Sequence, residues 1–293
     1  MALLGAGYGT RTRANSLEGC CAAVTPIPRV FQHNSRAATP AEQTAPRCTI
    51  DDRGLLSIES ATIAVLTESG RVLHGASPER SPGARFSLSR SRDGHVVRLR
   101  QDVGEEMARA IERLVADEPP LDDPRSRPVH ADDYARLLGV ETPVEDAVAG
   151  PIYVFPERLD FEPPAPLVRS GTPEGDALVA RLVAQGMPAA MRDMKFVDTG
   201  ELWTPWCIAL DGDEIGSVAF TVGHGPGSAE VGVATMRPFR GRGLASAATS
   251  GWATLPAIRD LHRFYSTSWS NDSSQRVTER LGLRLIGARF AIS

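Results

Sequence analysis

The sequence predicts an α+β protein, and three observations carry that reading. A strand-like run, Val231-Gly-Val-Ala-Thr-Met236, ends in a Gly/Arg-rich turn and opens a helix-like run from Leu244 to Trp252. Two apolar segments, Trp206 to Leu210 and Ile215 to Val222, flank Asp211-Gly-Asp-Glu214, an Asp-Gly signal for a hairpin. Residues 62–116 read as two further hairpins followed by an amphipathic helix.

Taken in order, residues 1–48 are rich in Gly, Ala, Thr, Pro and Arg without a sustained period, and are expected to be a disordered tail. The stretch Gly7-Tyr-Gly-Thr-Arg-Thr-Arg13 reads like peptide translated upstream of a mis-called start. Organisation begins at Ser57. Thr62 to Leu66 and Val72 to His74 flank Glu68-Ser-Gly70, and Arg85 to Leu88 and Val96 to Leu99 flank Arg92-Asp-Gly94. Glu105 to Ala116 places Met107, Ala110, Ile111, Leu114 and Val115 at helical spacing. Ala131 to Leu138 predicts a short helix, and Gly150 to Phe155 a strand. The proline-rich stretch Pro156 to Pro166 then separates an α+β unit of unknown role, 50–160, from a second domain, 165–293. His130 with Asp132 and Asp133 reads as a surface loop entering a helix rather than a metal cluster, and no metal site is expected.

Composition narrows the function classes. The chain has 293 residues, 42% hydrophobic and 23% charged, as in soluble globular proteins. A net charge of −4 gives no general pull toward nucleic acid or anionic membrane. Cys20, Cys21, Cys48 and Cys207 are poorly spaced for zinc, and reduced thiols in the cytoplasm account for them.

The chemistry concentrates in Arg240-Gly-Arg-Gly243-Leu-Ala245. A helix N-terminus leaves N–H groups unpartnered and gathers partial positive charge. Gly241 and Gly243 let a pyrophosphate approach the main chain, and Arg240 and Arg242 add charge. Neither the P-loop string nor the dinucleotide fingerprint occurs here. The remaining pattern, R-x-x-G-x-A on Arg240, Gly243 and Ala245, resembles the pyrophosphate loop of the GNAT superfamily of acyl-CoA-dependent N-acetyltransferases. The order of elements over 165–293 agrees: helix, hairpin, strand, loop, helix, strand, then Asn271-x-x-Ser274 opening a short helix, and a last strand from Arg284.

The resemblance implies a GNAT fold, with a mixed, mostly antiparallel sheet flanked by helices, and acetyl-CoA as cosubstrate. It implies that the main chain of Gly241, Arg242, Gly243, Leu244 and Ala245 holds the pyrophosphate. Thr235 and Met236 would pair with the pantetheine arm, an N–H near Met236 would polarise the thioester, and Asn271 and Ser274 would contact the arm. Glu230 matches the strand position of the family's general base, which would take a proton from a primary amine. The chain departs from the pattern at Thr278, where relatives carry the tyrosine that protonates the leaving thiolate; Tyr265 is the nearby tyrosine. The 50–160 unit resembles the substrate-side or dimerisation modules of relatives, and homodimerisation stays open. A non-catalytic acyl-CoA-binding sensor is the alternative reading. Nucleic-acid binding through Arg237, Arg240 and Arg242 is disfavoured by overall acidity and the absence of stacking aromatics beside them.

Overall fold

The structure is a computed structural model that describes residues 50–75, 82–141 and 148–293. The expected tail, with Cys20, Cys21 and Cys48, lies outside the described residues. Helix α1 (Asp52–Thr62) comes first, followed by β1 (Ala64–Leu66) and β2 (Val72–Gly75), which form a separate two-stranded hairpin. Next come β3 (Phe86–Ser91), β4 (Gly94–Leu99), α2 (Glu105–Ala116), α3 (Ala131–Leu137), β5 (Val148–Val154) and β6 (Leu167–Arg169). The remainder comprises α4 (Pro173–Gln185), α5 (Ala189–Asp193), β7 (Trp206–Asp211), β8 (Glu214–Gly225), β9 (Ser228–Thr235), α6 (Leu244–Ala253), β10 (His262–Ser266), α7 (Asp272–Arg280) and β11 (Arg284–Ile292).

Among the described residues nine strands form one sheet in the order β4-β3-β11-β5-β10-β9-β8-β7-β6. Its pairs are antiparallel except β9 with β10. This is the mixed, mostly antiparallel α+β architecture that the sequence implied. The sheet also crosses the expected boundary near residue 160 without a break. Strand β5, from the N-terminal side of that boundary, lies between β10 and β11, and β3 pairs with the last strand from Ala288↔Arg90 to Ile292↔Phe86.

Helix α1 is the element that local sequence did not announce. Asp51 caps it, its carboxylate accepting from Gly54 N at 2.7 Å, and Leu55 and Leu56 are buried, each worth about 1.5–3 kcal/mol on the usual transfer scale. Among the described residues the first element therefore begins at Asp52 rather than Ser57, and the strand expected from Thr62 starts at Ala64. Its last turn sits directly on β8: a Cβ on Gly223 would lie 2.6 Å from Thr62 O, so a side chain at 223 would push the helix away.

The two sheet faces carry different cores. On β10, Phe264 packs with Leu55, Leu56, Ile152 and Ile286, whereas its neighbour Tyr265 packs with Trp252, Val277 and Leu281. Consecutive strand residues face opposite sides, so α1 covers one face and α6 with α7 the other. α6 is buried nearly all round, with every residue from Ser246 to Ala253 inaccessible.

Candidate active site

The site begins where the one parallel pair comes apart. β9 and β10 are in register from His262↔Ser228 to Phe264↔Glu230, and the pairing ends there. Beyond that point β9 stays with β8 as far as Ser217↔Thr235, and β10 stays with β5 to Ser266↔Ile152. A wedge-shaped gap therefore opens past Glu230, with the main chain of Val231 to Thr235 along one side.

The Gly/Arg turn stands at the wide end of the gap. After a 3-10 turn, Arg237–Phe239, both Gly241 and Gly243 adopt left-handed backbone, with φ of 82° and 79°. Gly243 is the N-cap of α6 and supplies no side-chain cap, so the first-turn N–H groups of Leu244 and Ala245 keep their donors for a ligand. A cleft of about 440 Å³ adjoins the turn, lined by Gly241, Arg242, Gly243, Ser246 and Arg280 together with Phe161, Glu162 and Pro164. The Ser246 hydroxyl is buried and has no hydrogen-bond partner among the described residues. An orphaned hydroxyl, two left-handed glycines and an uncapped helix end suit a phosphate group.

The arginine side chains lean aside. Arg242 pairs with Asp211, and Arg240 Nε donates to Thr235 O at 3.4 Å. The main chain of the turn, with Arg280 close by, is left facing the cleft. Arg280 was not among the residues expected from sequence: its Nη1 would lie 3.6 Å from a Cβ on Gly243. Helical spacing puts Arg280 on α7 but does not say which face of α7 meets α6.

Met236 needs a correction. Its N–H donates to Gly216 O at 3.0 Å and its C=O accepts from Phe239 N at 2.9 Å, so that N–H is not free to polarise a thioester carbonyl. Both of its main-chain groups are spent on holding the turn. Thr235 bonds Ser217 through its hydroxyl at 2.9 Å, and its main chain borders the gap.

At the vertex lies Glu230, buried on the α1 side of the sheet. Its Oε1 accepts from the Ser266 hydroxyl at 2.5 Å, so one hydrogen bond joins β9 and β10 where they part. Glu59 of α1, fully buried, reaches the same cluster, and Arg289 of β11 donates to it. Burial first, and the Glu59 charge second, push the Glu230 carboxyl up to about 8, against the opposing pull of Arg289 and Ser266. Burial alone would lower Arg289, but the Glu59 and Glu230 charges outweigh it and hold it above its ordinary value. Glu59, Ser266 and Arg289 were not anticipated. One sign was available: in α1, Glu59 stands four residues after Leu55, on the helix's apolar face.

Across the sheet, Asn271 caps α7, its Oδ1 accepting from Ser274 N at 3.0 Å. The Ser274 hydroxyl is 2.6 Å from Tyr265 Oη, which burial pushes up to about 12. Thr278 is buried and donates to Gln275 O in its own helix at 2.7 Å, so it offers no proton to the gap. Tyr265 is the hydroxyl that the structure does bring to the start of α7.

On the acceptor side Trp206 and Trp252 are core, the latter donating its indole N–H to Thr221. Trp203 is half-buried, stacks edge-on to Phe220, and has a buried indole N–H without a partner. Trp269 lies under the Arg125 guanidinium at 4.6 Å. Met187 and Met191 are core. His224 is exposed, and His130 is held between Asp117 and Asp133. No group of metal-ligating side chains occurs among the described residues.

An uncapped helix start, a split parallel pair and a buried carboxyl at the vertex thus stand together on one α+β sheet. Residues 179–284 match the family model of the acetyltransferase (GNAT) domain. No curated protein matches it. Among solved structures it is similar to a GNAT-family acetyltransferase from Colwellia psychrerythraea (13% identity, 82% of this chain and 96% of that one, TM-score 0.39). It is also similar to a GCN5-related N-acetyltransferase-like protein from Streptococcus suis (14% identity, 81% and 91% covered, TM-score 0.40). A GNAT-family protein from Novosphingobium aromaticivorans is 23% identical over 50% of this chain, with a TM-score of 0.34, and the match spans 63% of that protein's length. Overlaps this loose carry no argument about the site.

Proposed function

We propose that this protein transfers an acetyl group from acetyl-CoA to a primary amine of a small molecule, by direct attack in a ternary complex. The observation that carries the reading is the phosphate cradle at Gly241–Ala245, opening onto a gap whose vertex holds Glu230. Acetyl-CoA supplies the activated acyl carbon and a thiolate leaving group. Gly241, Arg242, Gly243, Leu244 and Ala245 bind the pyrophosphate through their main chain, with Arg280 beside them. The main chain of Thr235 lies along the pantetheine arm, and Asn271 and Ser274 border it at the start of α7.

An alkylammonium is almost wholly protonated at neutral pH, since its pKa is about 10. Glu230 takes that proton as the C–N bond forms, and Ser266, half-buried at the gap and hydrogen-bonded to Glu230, is the route by which it arrives. When the C–S bond breaks, Tyr265 supplies the thiolate's proton through Ser274. No helix among the described residues is long and apolar enough to cross a membrane, and reduced thiols and acetyl-CoA chemistry fit the cytoplasm.

Calorimetric titration of acetyl-CoA into the full chain tests the reading. Saturable micromolar binding that Gly243→Glu abolishes upholds it, and no binding by folded protein removes it. One observation favours a second reading, a non-catalytic acyl-CoA sensor: Glu230 is only 4% exposed beneath α1. Glu230→Gln separates the two, because a sensor has no turnover to lose.

A further inference from the structure

Glu59 is a fully buried carboxyl that the proposed chemistry does not yet use. It belongs to α1, far outside the segment that matches the family model. Its Oε1 accepts from Arg289, and Glu230 Oε1 accepts from Ser266. The second oxygen of each, Glu59 Oε2 and Glu230 Oε2, is buried without a donor. Glu59 and Glu230 interact side chain to side chain within this buried cluster.

We infer that Glu59 shares one proton with Glu230 and thereby makes Glu230 a stronger base toward the amine, an inference that rests on the acyltransferase reading above. Ionised carboxylates only accept, so two of them in contact leave both orphan oxygens unsatisfied, and one proton between them satisfies both. Charge leads the same way. With both carboxyls ionised, Arg289 leaves the buried cluster one negative charge in excess, and one proton makes it neutral. Once the pair has lost its resting proton to solvent, as it does when pH rises, the proton that Glu230 takes from the ammonium becomes the shared one and is held by two carboxyls rather than one. Proton transfer from an amine to such a pair is far less uphill than transfer to an ordinary carboxylate.

The surrounding charges are few. From β11 comes Arg289, and from β10 the neutral Ser266. β8 places Gly223 opposite Glu230, with the exposed His224 next along. From β4, Arg98 feels the Glu59 charge, while its guanidinium is bound to the Ser60 and Ser57 hydroxyls. Glu59 is then a positioning residue that acts through Glu230, and it explains why α1 is laid over the vertex.

The test compares wild type with Glu59→Gln, which keeps an acceptor for Arg289 but removes the charge. Infrared spectroscopy of wild type at neutral pH should show the carbonyl stretch of a protonated buried carboxyl. Glu230→Gln should remove the band, and so should Glu59→Gln, because Glu230 then ionises against Arg289. A band that survives Glu59→Gln, or is missing from wild type, overturns the inference. In turnover, the half-point of the kcat/KM rise with pH should move at least tenfold in proton concentration toward acid in Glu59→Gln, with a lower plateau. A lower plateau with an unmoved half-point means that Glu59 is merely structural. If Glu59→Gln does not fold, Glu59→Asp retracts the charge by one methylene, and its half-point should lie below that of wild type; an unchanged one overturns the inference. Should wild type acetylate no amine, the acyltransferase reading fails, while the infrared result still decides whether the proton is shared.

Discussion

The Ser266 hydroxyl donates to Glu230 Oε1 at 2.5 Å, and Ser266 lies two residues beyond Phe264, the last β10 position paired with the parallel strand β9. That bond joins the strands at the point where they separate, so the proposed base stands at the apex of the gap. The phosphate cradle stands at the gap's other end. The chemistry expected at each part of this layout differs, and so do the variants that test it.

Gly243→Glu should abolish acetyl-CoA binding. The substitution forces a side chain into left-handed backbone, which costs about 1–2 kcal/mol, and adds a negative charge where phosphate must sit. Calorimetry should show no heat of binding, with the fold retained by circular dichroism.

Arg280→Ala should weaken acetyl-CoA binding and flatten its dependence on salt, because a cation beside the cradle contributes a screened attraction. Titrations at low and high salt check this. Equal affinity in wild type and variant at both salts would remove Arg280 from the site.

Glu230→Gln should lower kcat by about 10²–10⁴ while leaving acetyl-CoA affinity unchanged, the range typical for loss of a general base. Steady-state kinetics beside calorimetry separates the two effects. A small loss of turnover would shift the task to another group.

Tyr265→Phe should lower kcat, and Thr278→Val should not, since Thr278 is tied to its own helix. The Tyr265→Phe defect should shrink with thioesters of more acidic thiols, whose thiolates need no proton. Equal defects across such a series would count against Tyr265 as the acid.

Stability should also report on Glu230. The folded carboxyl is raised to about 8 from the ordinary value of 4.5, so the folded state binds that proton more tightly. Its contribution is fully present below the ordinary value and is lost as pH rises through about 8. The melting temperature of wild type, relative to Glu230→Gln, should therefore fall over that interval. A constant difference between the two across the range would mean that the carboxyl is not raised.

The turn proposed as a phosphate cradle was legible as a strand–turn–helix because its signals are local. Glycines at 241 and 243, arginines between and before them, and the start of an apolar helix all lie within a few residues. The hairpin on Asp211-Gly-Asp-Glu214 and the helix Glu105–Ala116 follow from turn chemistry and helical period, and the structure places both where those signals put them. The vertex was only half legible. Glu230 could be picked out by its place before the loop, but Ser266, Glu59 and Arg289 reach it from β10, α1 and β11, and no spacing within the chain relates them.

By itself, then, the sequence determined the α+β class, the order of elements from the β7–β8 hairpin onward, the strand–turn–helix at 231–252 and the strand that carries Glu230. Those features depend on contacts between near neighbours, which leave a periodic or compositional trace. The tertiary structure alone decided that β5 lies between β10 and β11, that α1 covers Glu230, and that the Met236 N–H is spent on Gly216. Each of these joins residues brought together only by folding. Such pairings are set by sheet order and by the fit of buried side chains across it, and those are properties of the assembled fold rather than of any stretch of chain.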